Sequence, residues 1–135
     1  MVLMFNLINI LIYLINISLM CTPVYSEYCC STCETINISL NNAAAMDHGS
    51  FSGTYIKSFM VNGKESWTSS RNGIWFTQEY WIISHLDYIG TNMASIYSNF
   101  GNRCPFDLSS EHWRYYHAVN GWIDAEPNDI NIECL

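Results

Sequence analysis

From residue 35 onward, apolar and polar positions alternate with the two-residue period of half-buried strands. Thr35-Ile36-Asn37-Ile38-Ser39-Leu40 and the closing Asp129-Ile130-Asn131-Ile132-Glu133-Cys134-Leu135 show it most cleanly. Each lies beside a cysteine, so the pattern predicts that the two ends of this region pair in one sheet. Asn41 to Ala45 reads as a loop or a short helical turn. Thr54 to Val61 and Glu65 to Thr68 flank Asn62-Gly63, a hairpin signal because both turn residues take positive φ. A second Asn-Gly pair, Asn72-Gly73, precedes the strand Ile74-Trp75-Phe76-Thr77. Tyr80 to Ser84 and Ala94 to Tyr97 are further short strands, and Ser98 to Ser110 is a long irregular stretch. Trp113 to Val119 and Trp122 to Asp124 flank a third pair, Asn120-Gly121. The pattern therefore predicts about seven or eight short strands, an all-β domain of small antiparallel sandwich or barrel-like form. No helical periodicity of convincing length appears in it.

The N-terminus departs from this rhythm. Met1 to Met20 contains no charged side chain and is dominated by Leu, Ile, Met and Phe. Pro23 and Val24-Tyr25-Ser26 then supply a helix break and a small-residue cleavage site, so residues 1–26 read as a signal peptide and Glu27 as the new N-terminus. An uncleaved anchor is the alternative, since a spanning helix needs about 20 apolar residues. Against the anchor, the first positive side chain of the chain is Lys57, and no flanking charge sets an orientation. The expected organisation is a signal peptide at 1–26, a cysteine-rich segment at 27–34 and one β-rich domain at 35–135, secreted and free of the membrane after cleavage.

Export changes how the cysteines are read. Cys29, Cys30, Cys33, Cys104 and Cys134 remain after cleavage, and in a secreted chain they are disulfide candidates. Cys104 and Cys134 are each expected to bridge to the N-terminal cluster. Five is odd, so one thiol is left for a disulfide-linked dimer, unless cleavage falls before Cys21. Zinc at Cys30-Ser31-Thr32-Cys33 lacks further ligands at suitable spacing, and no metal or cofactor is expected. Asn37-Ile38-Ser39 becomes a sequon for N-glycosylation.

Charge removes other classes of partner. The five Lys and Arg against twelve Asp and Glu give a net charge of −7, all of it beyond residue 26. Lys57, Lys64, Arg71, Arg103 and Arg114 form no patch, so nucleic acid and anionic lipid are repelled rather than bound.

Candidate chemistry is sparse. His112 and His117 are five apart, a spacing that on a strand faces them in opposite directions, and Gly49-Ser50-Phe51-Ser52-Gly53 has phenylalanine where a nucleophile elbow needs serine. Ser50 or Ser52 with His85 and Asp87 is the remaining hydrolase grouping, and His85-Leu86-Asp87 reads better as a strand end. Glu126-Pro127-Asn128 is similar to the sugar-selecting tripeptide of C-type lectins, but the Trp-Asn-Asp partner that the likeness would imply is absent, and it reads as a turn. Asp124, Glu126 and Asp129 offer oxygen ligands for a weak calcium ion. The aromatic residues divide between core and surface, and Trp67, Trp75, Trp113 and Trp122 are the candidates for a ligand-binding platform.

Gly53-Thr54-Tyr55, Asn62-Gly63, Trp75-Phe76, Trp81-Ile82-Ile83, Cys104-Pro105, Trp113 and Gly121-Trp122 before Cys134 together resemble a small β-rich domain that recurs in secreted modular proteins of invertebrates. That resemblance implies an extracellular, non-enzymatic module. The expectation is thus a secreted binding module for an extracellular protein or a glycan, with a cysteine-containing effector, toxin or inhibitor as the alternative.

Overall fold

The structure is a computed structural model that describes residues 32–135; the proposed signal peptide, Cys29 and Cys30 lie outside the described residues. Within them the alternating sequence becomes sidedness. The run from Thr35 to Leu40 turns Ile36, Ile38 and Leu40 inward and leaves Thr35, Asn37 and Ser39 half-buried on the other face. The described residues form β1 (Thr35–Leu40), α1 (Asn42–His48), β2 (Gly53–Lys57), β3 (Trp67–Thr68), β4 (Asn72–Phe76), β5 (Trp81–His85), β6 (Ile96–Ser98), β7 (Trp113–His117), β8 (Gly121–Asp124) and β9 (Ile130–Cys134).

All nine strands join one sheet in the order β8-β7-β6-β5-β4-β3-β2-β1-β9, with every pairing antiparallel. This order forces curvature. Strands β8 and β9 stand at opposite ends of the sheet, yet only residues 125–129 connect them. Laid flat, a nine-stranded sheet would separate them by about 38 Å at ~4.8 Å per strand step. A fully extended link of that length reaches about 22 Å at most. The sheet therefore curls on itself, which gives the barrel-like member of the expected pair of architectures rather than a sandwich of two sheets.

The enclosed core holds Ile36, Ile38, Tyr55, Trp67, Ile74, Trp81, Ile83, Ile96, Trp113, Tyr115, Ile130 and Ile132. A second, smaller cluster of Val61, Trp75 and Ile82 lies apart from it, with Tyr80, Ile89, Ala94 and Tyr97 packed against it. Strand β4 is consequently buried at every position, which explains why its sequence shows no alternation.

Loops are fastened to the core through indole N–H groups, since a buried indole needs an acceptor. Trp67 Nε1 donates to the Cys33 carbonyl at 2.9 Å, Trp75 Nε1 to Thr91 at 3.0 Å and Trp81 Nε1 to Arg103 at 2.7 Å. Between β8 and β9, Ser110 Oγ donates to the Glu126 carbonyl at 2.5 Å and accepts from Ile130 N at 3.0 Å. The irregular stretch before β7 thus bridges the seam that hydrogen-bonded strands leave open.

Asn62-Gly63 makes the expected tight turn, whereas the strand expected from Ile74 begins two residues earlier and takes in Asn72-Gly73. Asn62 and Gly63 take φ of 51° and 85°, and Val61 and Lys64 bridge across them. Asn72 and Gly73 are instead inside β4, opposite His85 and Ser84. The reversal is made earlier, where Ser69 N donates to the Asn72 carbonyl and Ser69 Oγ accepts from Asn72 N. Glycine at 73 serves close packing, because a Cβ there would meet Leu86 Cδ2 at 3.2 Å. Strand β2 also ends at Lys57, short of Val61, and the segment from Asn42 to His48 completes a two-turn helix.

Candidate functional site

Burial divides the tryptophans. Trp67, Trp75 and Trp113 are 0% exposed. Trp67 and Trp113 fill the enclosed core and Trp75 the smaller cluster on the outer face, so none of the three is open to a ligand, which corrects the expectation that they belong to a surface platform. Trp122 is 37% exposed. It stands on β8 with Asp124, on the outer face, while Ile123 between them packs against the core.

Register then assembles the neighbours of Trp122. Tyr116 is its direct partner across β7, and Arg114 is opposite both Asp124 on β8 and Tyr97 on β6. The ring centroids of Trp122 and Tyr97 lie 4.7 Å apart at an interplanar angle of 82°, and those of Trp122 and Tyr116 lie 5.5 Å apart at 73°. Tyr80 extends the row, 5.4 Å from Tyr97. Tyr116 is 47% exposed, whereas Tyr80 and Tyr97 are half-buried. The outer face of β6–β8 is therefore an aromatic corner, with Trp122 nearly perpendicular to the rings on either side.

A charged pair borders this corner. Arg114 Nε lies 2.6 Å from Asp124 Oδ1, Nη1 donates to the Tyr97 hydroxyl at 2.9 Å, and Nη2 donates to the Trp122 carbonyl at 3.4 Å. The hydrogen bond to Tyr97, reinforced by Asp124, raises the Arg114 pKa further above its already high value. The guanidinium is thus fixed in place, and it holds Tyr97 and the β8 backbone with it.

The other sequence candidates fall elsewhere. Cys33 and Cys134 form a disulfide, as expected for a bridge from the C-terminus to the N-terminal cluster. Cys104 is also disulfide-bonded. Asn37 is on the outward side of β1, with its Nδ2 donating to Ser39 Oγ at 3.0 Å within its own sequon. His117 lies with Nε2 3.8 Å from Asp47 Oδ2, and His112 Nδ1 lies 2.8 Å from Ser109 Oγ, so the two histidines are not brought together. Ser52 Oγ accepts from Leu40 N, and the His85 ring packs 5.1 Å from Phe51, so neither meets the other as a nucleophile and its base.

Glu126-Pro127-Asn128 is a turn, with Asn128 at φ 71° and Asp129 N donating to the Glu126 carbonyl at 3.0 Å. The calcium alternative is corrected here. Asp129 is buried and its two carboxylate oxygens accept from Asn42 Nδ2 and Glu126 N, while Asp124 faces Arg114. The three carboxylates do not converge, and among the described residues no group of three or more His, Cys, Asp or Glu is placed to hold a metal ion.

Tyr80, Tyr97 and Tyr116 were missed as site residues. A signal for Tyr116 was present: Arg114 and Asp124 are charged, so positions two away from them, Tyr116 and Trp122, share the solvent face, while Trp113 and Tyr115 take the opposite one. Compared with family models, curated proteins and solved structures, the chain matches none.

Proposed function

We propose that this chain is a secreted, non-enzymatic binding module that takes a glycan on the outer face of β6–β8. The single observation that carries the reading is the exposed Trp122 set between Tyr97 and Tyr116, with the Arg114–Asp124 pair at its border. Aromatic rings offer apolar surface to the C–H face of a sugar ring, and the adjoining carboxylate offers a hydrogen-bond acceptor to its hydroxyls. Small ligands are recognised in this way, by apolar lining and a few placed polar groups. A glycan is favoured over a protein because the polar and aromatic groups are interleaved rather than segregated into an apolar centre with a charged rim.

Screening the secreted protein on an array of glycans, with Trp122→Ala alongside, tests the proposal. The expected result is binding that Trp122→Ala weakens at least tenfold while the thermal midpoint changes little. Retained binding in that variant would move the ligand off this face.

Secretion and the outward position of Asn37 also support an N-linked glycan there. Digestion with an N-glycosidase is expected to increase gel mobility of the secreted protein, and Asn37→Gln is expected to reproduce the shift. Equal mobility before and after digestion would remove the modification from the proposal.

A further inference from the structure

Resting on that glycan reading, we propose that the outer β6–β8 face selects neutral, soluble saccharides and rejects sulfated or carboxylated ones. Two observations lead there, one electrostatic and one geometric.

An anionic sugar needs a cation free to pair with it. Arg114 is the one Lys or Arg on strands β5 to β8. Its Nε lies against Asp124 at 2.6 Å, and its terminal nitrogens donate to the Tyr97 hydroxyl and the Trp122 carbonyl. The charge on the face is therefore neutralised within the protein, and the fork that would grip a sulfate or carboxylate is already engaged. Asp124 itself is largely exposed, with 74% of its side chain accessible, so an approaching anion meets a carboxylate first. The net charge of −7 adds repulsion at longer range. A neutral hydroxyl suffers none of this and gains the Asp124 acceptor.

Ring orientation limits the shape of the ligand. A flat polysaccharide surface is matched by rings lying in one plane. Here Trp122 makes angles of 82° and 73° with its two neighbours. Such a corner receives one or a few sugar units entering edge-first, and it cannot lie flat on a crystalline polymer. The selectivity therefore favours soluble oligosaccharides or chain ends over insoluble fibres.

The test compares sulfated and unsulfated forms of the same oligosaccharide, with heparin as a densely anionic probe and insoluble cellulose and chitin as flat surfaces. Wild-type protein is expected to bind the unsulfated form at least tenfold more tightly than the sulfated one, and to remain in solution after mixing with the insoluble polymers. Asp124→Asn removes the carboxylate that neutralises the Arg114 guanidinium and is expected to raise heparin affinity at least tenfold, with the gain lost as salt is raised.

Equal or tighter wild-type binding of the sulfated form would overturn the selectivity while leaving the site in place. Sedimentation with the insoluble polymers would overturn its geometric half. Absence of binding to any saccharide would overturn the glycan reading and this inference with it. Should Asp124→Asn fail to fold, the wild-type comparison of the matched oligosaccharides decides the question alone.

Discussion

Tryptophan does two separate jobs in this chain, and for Trp75 and Trp122 the difference is set by what covers the ring, since register through Ile82, Tyr97 and Arg114 places both on the outer face of the sheet. Trp75 buries its whole ring in the cluster with Val61 and Ile82 and fastens the Thr91 carbonyl through Nε1. Replacing it by alanine is expected to cost about 3–5 kcal/mol, the usual range for a large core aromatic. Chemical denaturation would measure this as a lower midpoint. Trp122→Ala removes a ring already partly in water, so a loss of less than about 1 kcal/mol is expected from the same measurement. Reversal of that order would mean that the exposed aromatic corner, not the buried Val61–Trp75–Ile82 cluster, carries the stability of this face. Tyr55 gives a pH signature at the same scale. Burial pushes its hydroxyl up to about 12, against hydrogen bonds that pull the other way. The unfolded chain loses this proton near pH 10 while the folded chain keeps it, so stability is full below about pH 10 and falls as pH rises toward 12. The loss from this group reaches about 3 kcal/mol at most, at 1.36 kcal/mol per unit. In Tyr55→Phe this part of the alkaline slope is expected to disappear, at a cost of about 1 kcal/mol for the lost bond to the Phe51 carbonyl.

Elements hold one another through contacts that leave no room for adjustment. The turn between β4 and β5 and the loop after β6 meet at Gly101, where a Cβ would overlap the Glu79 carbonyl oxygen and the Phe76 ring. Lys64 closes the same place from the hairpin side. Its Nζ donates to the Gly101 carbonyl at 2.5 Å and lies 4.1 Å from the Phe76 ring centroid, and burial lowers its pKa. Gly101→Ala is therefore expected to destabilise by about 1–3 kcal/mol, the range for overpacking, and to loosen the Phe100–Arg103 loop first. Thermal melting and amide exchange of that loop would measure both effects. The strands themselves were legible. The alternation of β1 gives its boundaries because one face is buried and one is half-buried, and Asn62-Gly63 gives the turn though not the ends of the strands that flank it. Strand β4, covered on both faces, offers no alternation to read, and it begins at Asn72 rather than Ile74, with Gly73 packed closely under Leu86. The site was legible only for Trp122. Tyr97 reaches it by pairing across β6 and β7, a relation between residues 17 positions apart for its bond to Arg114, which no local pattern displays.

At the scale of the molecule, one covalent link reinforces a closure that the strand order already demands. The C-terminal strand β9 leaves its sequence neighbour β8 and pairs with β1, with Ile36 opposite Cys134 and Leu135 N donating to the Thr35 carbonyl at 2.9 Å. The Cys33–Cys134 disulfide lies at the end of that ladder and closes a loop with a sequence separation of 101. In the chain-entropy view a loop of this size stabilises by about 4.7 kcal/mol, and measured removals of native disulfides cost about 2–5 kcal/mol. The double variant Cys33→Ser/Cys134→Ser is expected to fall in that range, with both cysteines replaced so that neither thiol can re-pair. The order of opening tells more than the total. Strand β1 keeps β2 as a neighbour, whereas among the described strands β9 pairs only with β1. Without the disulfide, β9 should detach before the rest of the sheet, and amide protection should fall first at Asn131 and Glu133, whose backbones face β1. Uniform loss of protection across β1 to β9 would instead show that the curled sheet opens as one unit. A stability within about 0.5 kcal/mol of wild type would show that the pairing alone, without the covalent link, holds the two ends together.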